Sequence, residues 1–179
     1  MLIVTERLII REITQEDLDA VYEYTKNPEI FKYMPFGPST YENAKRRIER
    51  LIEKQSQDPR TDFDVAITLR ESEKLIGGCR LKKVSDIEGH VGYILARDQW
   101  GNGYATETAK ALTDYGFSEL NLHRVYATVH PENAASIRVL EKVGMRYEGR
   151  LRENMLYDEG YGDSLIYSIL EQEWKQLNP

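Results

Sequence analysis

The chain predicts an α/β fold built on one mixed, mostly antiparallel central sheet flanked by helices. Residues 63–95 fall into three runs rich in strand-forming residues, separated by short turns, the pattern of a meander. Residues 14–55 carry apolar side chains at helical spacing instead. From residue 104 onward the order reads helix, strand, helix, strand, strand. The 179 residues show no repeat, low-complexity stretch or linker, so one domain over 1–179 is expected.

Leu8-Ile9-Ile10-Arg11-Glu12-Ile13 reads as the first strand. Thr14 and Asp17 form a capping-box start, followed by Leu18, Val21 and Tyr22 at helical spacing, and the helix should stop before Pro28. Pro35-Phe36-Gly37-Pro38 punctuates a loop. Ser39 and Glu42 predict a second capping box, with Ala44, Ile48, Leu51, Ile52 and Gln55 marking one face of the helix that follows. Phe63–Leu69 and Leu75–Leu81 should pair across Glu71-Ser72-Glu73-Lys74, and Gly77-Gly78 marks a bulge or a close backbone approach. His90–Leu95 completes the meander. Ala105, Ala109, Leu112 and Gly116 share a helical face, and Arg124–Val129 alternates as a strand. Asn133 opens a helix that Gly144 should end with a left-handed cap. Strands over 145–157 and 164–170 follow, joined across 158–163.

Composition narrows the function. A net charge of -6 and a pI near 5.2 argue against nucleic acid as the main partner. Lys45-Arg46-Arg47 is interleaved with Glu42, Glu49 and Glu53 and reads as a solvated helix face. The single cysteine rules out an internal disulfide and suits a reducing compartment. The start of the chain turns charged too soon for a secretory signal, and no run is long enough to span a bilayer, so a cytoplasmic protein without membrane attachment is expected. Cys79 lies in an apolar strand and reads as a small core residue rather than a nucleophile. His123 and His130 lack metal-ligand spacing, so no metal is expected.

The chemistry gathers at Gln99-Trp100-Gly101-Asn102-Gly103-Tyr104-Ala105, between a strand and a helix. A glycine turn at a helix start presents unpaired N–H groups at the positive end of the helix dipole, where phosphate binds. The P-loop pattern fails because no lysine follows Gly103, and the dinucleotide pattern has Thr106 in place of its third glycine. Trp100-Gly101-Asn102-Gly103-Tyr104-Ala105-Thr106-Glu107 resembles the signature of the GNAT superfamily of acyl-CoA-dependent N-acyltransferases. The likeness is greatest to its ribosomal-protein alanine/serine N-terminal acetyltransferase branch. Asn133-Ala134-Ala135-Ser136, Gly144-Met145 and Thr5-Glu6-Arg7-Leu8-Ile9-Ile10-Arg11 match that branch as well. Two departures from the wider superfamily stand out: Trp100 where Gln or Arg is usual, and Leu140 where many members place a tyrosine acid.

The resemblance implies a GNAT fold with a splayed strand pair forming an acetyl-CoA cleft. It implies pyrophosphate on the amides of Trp100, Gly101, Asn102, Gly103, Tyr104 and Ala105, with a hydroxyl from Thr106. The pantetheine arm would lie along Tyr93-Ile94-Leu95 as an added strand, and an N–H near Tyr93 or Ile94 would polarise the thioester carbonyl. Asn133 would contact the arm and Ser136 would meet the leaving thiolate; as plain residue types, both also suit a helix start. An amine acceptor must lose its proton to attack. His90 is the candidate base and Glu88 the substitute, although His90 also reads as an exposed strand-start residue. Tyr33, Met34 and Phe36 sit on the loop that borders the acceptor in such proteins, or they pack beneath it. The expected reaction is acetyl transfer to a primary amine, foremost a protein N-terminal α-amine. A polyamine, aminoglycoside or amino acid acceptor, or a non-catalytic acyl-CoA-binding module, are the alternatives. Pairing into homodimers is frequent in the branch.

Overall fold

The computed structural model describes residues 1–178. Eight strands form one sheet: β1 (Leu2–Val4), β2 (Leu8–Glu12), β3 (Asp62–Leu69), β4 (Leu75–Lys83), β5 (Glu88–Leu95), β6 (Arg124–Val129), β7 (Arg146–Tyr157) and β8 (Gly160–Leu170). The helices are α1 (Leu18–Thr25), α2 (Tyr41–Gln55), α3 (Tyr104–Ser118), α4 (Ala134–Lys142) and α5 (Glu171–Leu177). Strand order is β1-β2-β3-β4-β5-β6-β8-β7, with every pair antiparallel except β5–β6.

The periodicities place most elements correctly, with four differences. β1 adds an edge strand ahead of the expected first one, because Thr5 N–H bonds the Leu8 carbonyl and folds the start of the chain back as a hairpin. Thr40 rather than Ser39 caps α2, accepting the Asn43 N–H at 3.2 Å. β8 begins at Gly160, whose φ of +120° permits a tight turn and lengthens the hairpin. The short amphipathic α5 follows β8 directly, where no helix was expected.

The main core lies between the sheet and α3. Phe63, Val65 and Ile67 of β3 alternate inward with Cys79 and Leu81 of β4 and Val91 of β5, and Ala109 and Leu112 of α3 are buried above the sheet. The opposite face is covered by α1 and α2, where Ile13, Val21, Ile48 and Leu51 make a second cluster. The register slips between Ile67 and Thr68, opposite Gly77 and Leu75. A Cβ at Gly77 would fall 2.2 Å from the Ile94 carbonyl oxygen, so the glycine pair marks both a bulge and a close approach.

The seam between β5 and β6 positions the site. Pairing there covers Glu88 with Arg124, Gly89 with Val125 and His90 with Tyr126, and then stops. β5 runs on to Leu95 while β6 runs on to Val129 along β8. The two strands part, and one edge of residues 91–95 is left without a partner strand.

Candidate active site

A cleft of about 510 Å³ passes through this splay. It brings together His90, Tyr93, Ile94, Asn133 and Ser136, and from the loop after α1 it takes in Tyr33, Met34 and Phe36. Leu95 is buried and Glu88 and residues 100–106 lie outside the cleft lining. A broader groove of about 770 Å³ runs between β1 and α3, past Leu2, Val4, Lys110 and Asp114. It is remote from the splay and holds none of the residues expected to do chemistry.

The glycine turn follows β5 through one short helical turn, Arg97–Gln99. Gly101 and Gly103 take φ of +83° and +82°, values that residues with a Cβ adopt only under strain. Gly103 is the N-cap of α3 and offers no side chain, so the first amides of the helix keep no side-chain acceptor. That arrangement fits a diphosphate. The turn is braced from behind. Arg7 donates to the Asn102 carbonyl at 2.9 Å and to Glu107 Oε2 at 2.8 Å, and its guanidinium lies 4.8 Å from the centre of the Tyr104 ring. Glu107 also accepts from Thr5 Oγ1 at 2.6 Å and from the Arg7 N–H at 2.9 Å. Burial opposes ionisation of Glu107, but these donors prevail and hold its carboxyl below the usual range. The Trp100 indole donates to the Leu95 carbonyl at 3.0 Å, which ties the turn to the end of β5. Trp100 thus has a bracing role that the sequence did not disclose.

At the cleft wall, Asn133 caps α4 by accepting the Ser136 N–H at 3.1 Å. The capping reading therefore holds, and it leaves the hydroxyl of Ser136 on the cleft side. The Tyr93 phenol donates to that hydroxyl at 3.2 Å. Burial raises the Tyr93 pKa and the Ser136 bond partly offsets it. Leu140 is buried in the core. A phenol therefore does reach this wall, but from β5 rather than from α4.

The two expected bases fare poorly. Burial, reinforced by Arg80 and Lys82, lowers His90 to about 4, so the ring is neutral and weakly basic near pH 7. Its Nε2 lies 3.3 Å from Thr128 Oγ1. Glu88 sits at the closed end of the β5–β6 seam, bonded at 2.9 Å to Arg124, which also pairs with Glu148. Its carboxylate is spent on that link. His130 lines the cleft, tilted against Tyr33 and edge-on to Tyr157. Its Nδ1 accepts the Glu132 N–H at 3.1 Å, so that nitrogen is engaged by the α4 lead-in.

Among the cleft residues to which the sequence assigned no role are Tyr24, Arg47, Asp64 and Arg80. Burial pushes the Tyr24 phenol up to about 12. Asp64 is also raised by burial, against the pull of Arg47 and Arg80. Burial likewise raises the Cys79 thiol, in keeping with a core residue. Among the described residues, no group of three or more His, Cys, Asp or Glu could hold a metal ion, and no helix is long and apolar enough to cross a membrane.

The comparisons agree with this geometry. Residues 7–146 match the family model of the acetyltransferase (GNAT) domain. The chain is 39% identical over 175 residues to the uncharacterized N-acetyltransferase YnaD of Bacillus subtilis, covering 97% of this chain and 99% of that protein. A GNAT-family acetyltransferase structure from Bacillus anthracis superposes with a TM-score of 0.85 at 33% identity, over 96% of this chain and 99% of that one. The spermidine N-acetyltransferase of Vibrio cholerae, solved in complex with CoA and spermine, superposes with a TM-score of 0.80 at 25% identity, over 96% and 99% of the two chains. The splayed sheet, the left-handed glycine turn and these matches lead to one conclusion: the chain belongs to the GNAT acetyltransferase family, enzymes that draw their acetyl group from acetyl-CoA.

Proposed function

We propose that this enzyme acetylates an α-amine, of the kind found at a protein N-terminus, with Ser136 and Tyr93 meeting the departing sulfur. The observation that carries the reading is the Tyr93–Ser136 hydrogen bond in the cleft where β5 leaves β6. Acetyl-CoA supplies a thioester whose carbonyl carbon the amine attacks. The unpartnered edge of residues 91–95 suits a peptide-like pantetheine arm, and the turn at Gly101–Gly103 suits the diphosphate. The Ser136 hydroxyl accepts a hydrogen bond from the Tyr93 O–H, which leaves its own proton free to donate to negative charge on sulfur.

An α-amine, with a pKa of about 8, loses its proton more readily than a lysine ammonium or a polyamine. That suits a cleft in which the His90 imidazole is a weak base. Polyamine acetylation is the weaker alternative, because a polycation calls for several carboxylates and Asp64 is the cleft's only one among the described residues.

The test has two stages. Acetyl-CoA at about 100 times its Kd should add about 2.7 kcal/mol of stability by mass action. Release of free CoA with an amine panel then tests transfer. Ser136→Ala should lower turnover at least tenfold and leave the coenzyme-induced melting shift intact. Full activity in that variant overturns the assignment.

A further inference from the structure

We infer that Asp64 and Arg47 form a charge pair that receives the acceptor, Asp64 taking its ammonium and Arg47 an anionic group close to that amine. This deepens the reading above and rests on it. The substrate class it names is an α-amine accompanied, within about one residue's reach, by a carboxylate.

The first ground is a loosely engaged ion pair. Neighbouring Asp62 is fully engaged: Arg80 donates to it at 2.6 Å through two nitrogens and Lys54 at 3.1 Å. Asp64 has no such partners. Its carboxylate accepts no hydrogen bond from any described residue, and the nearest guanidinium atoms are Arg80 Nε at 3.5 Å and Arg47 Nη2 at 3.7 Å. The Asp64 side chain is only 17% exposed, and it lines the cleft. A largely shielded carboxylate held only through these long ion pairs keeps room for a closer donor from a ligand. Arg47 faces it from α2 with a side chain that is 46% exposed. It makes no polar contact among the described residues except this long one, and it too lines the cleft. A zwitterionic acceptor entering the gap would give both groups a shorter contact than the one they make with each other.

The second ground is placement. Asp64 pairs with Arg80 across β3–β4, and Arg80 pairs with Gly92 across β4–β5. The three residues therefore lie in one row on one face of the sheet, and two strand spacings separate Asp64 from Gly92 by about 10 Å. A Cβ at Gly92 would meet nothing within 4 Å, so the row is open above the strand next to Tyr93. The acceptor amine fits between Asp64 and that strand. The Tyr24 phenol flanks the gap, and Tyr33, His130 and Tyr157 form an aromatic wall of the same cleft.

Asp64 also supplies the proton acceptor that His90 does not. The ammonium gives one proton to the Asp64 carboxylate, and the free nitrogen attacks the acyl carbon. As the C–N bond forms and the C–S bond breaks, the nitrogen loses its second proton and sulfur leaves with the bonding pair. One of the two protons ends on sulfur and the other in solvent. The groups that set the Asp64 titration are Arg47 and Lys54 from α2, Arg80 from β4, Asp62 from its own strand and Tyr24 from α1.

The experiment compares wild type, Asp64→Asn and Arg47→Gln in CoA release across four acceptor sets: free α-amino acids, their amides, peptides with an acidic second residue, and polyamines. Calorimetric titration of the same acceptors into each protein gives binding without turnover. Asp64→Asn should raise acceptor KM roughly 10- to 100-fold for all α-amines, remove the acidic limb of the kcat/KM profile, and leave acetyl-CoA affinity unchanged. Arg47→Gln should raise KM at least tenfold for carboxylate-bearing acceptors and not for the amides. Preference for free amino acids over acidic peptides, or the reverse, identifies the source of the carboxylate. Unchanged acceptor binding and KM in Asp64→Asn overturns the inference. So does CoA release with polyamines but not with carboxylate-bearing amines, which leaves acetyl transfer standing. No release with any amine overturns both.

Discussion

Glu107→Gln isolates the brace behind the glycine turn. Wild-type Glu107 accepts from Thr5 Oγ1, the Arg7 N–H and Arg7 Nε, and Arg7 in turn holds the Asn102 carbonyl. Gln keeps one acceptor oxygen and places an amide donor against the Arg7 guanidinium. The Thr5 bond is partly shielded, and a hydrogen bond to a charged group contributes about 1.5–3 kcal/mol. The Arg7 side chain is 45% exposed, so its ion pair is discounted to about 0.5 kcal/mol. A net loss of about 2 kcal/mol is expected, which lowers Tm by roughly 4–8 °C for a chain of this size. The sign with pH follows from the depressed carboxyl: its stabilisation is present above the unfolded value, 4.5, and is lost as pH falls through the lower folded value. Thermal melts of both proteins from pH 8 to pH 3.5 should therefore show a gap that closes only at the acid end. CoA should also raise the Tm of the variant less than that of wild type, because Asn102 is no longer held. Melts that coincide within 1 °C at pH 7 would refute the brace.

Three other outcomes follow from the same structure. His90→Gln should leave the kcat/KM profile unchanged between pH 6 and 9, and it should remove an acid-side loss of stability. The His90 pKa is depressed in the fold, so wild type loses stability as pH falls from about 6.5 towards 4, by roughly 3 kcal/mol at most, whereas the glutamine variant does not. Gly103→Ala should cost about 1–2 kcal/mol from its φ of +82° and weaken coenzyme affinity, read by melting and by calorimetry. Leu112→Ala, in the centre of α3, should cost about 2–5 kcal/mol in denaturant unfolding and shift catalysis far less than stability.

Local signals made much of this molecule legible. Asn133 and Gly144 bracket α4 as expected, because an N-cap side chain and a left-handed residue each leave a short-range mark in sequence. Trp100–Glu107 was readable for the same reason. Choosing Thr40 over Ser39 was not, since adjacent hydroxyls compete for one cap and loop geometry decides. The roles of His90 and Glu88 depended on tertiary facts. Strand alternation could place both on one face, but not bury the imidazole beside Arg80 and Lys82, nor bring Arg124 to the carboxylate across a parallel crossover. Asp64 escaped notice because a polar residue at an alternating strand position usually faces water. Here α1 and α2 roof that face, and the carboxylate lines a cleft instead. Arg47 read as solvated within a basic run, and the fold turned it towards Asp64.

The three-rung contact of β5 with β6 has a mechanical consequence. It divides an otherwise continuous ribbon into a five-strand leaf and a three-strand leaf, hinged at one end. A pantetheine arm laid between them, as proposed above, would act as a splint. Amide exchange at Val91–Leu95 and Ala127–Val129 should slow on both leaves together when CoA is added, a rigidity supplied by the guest rather than the chain.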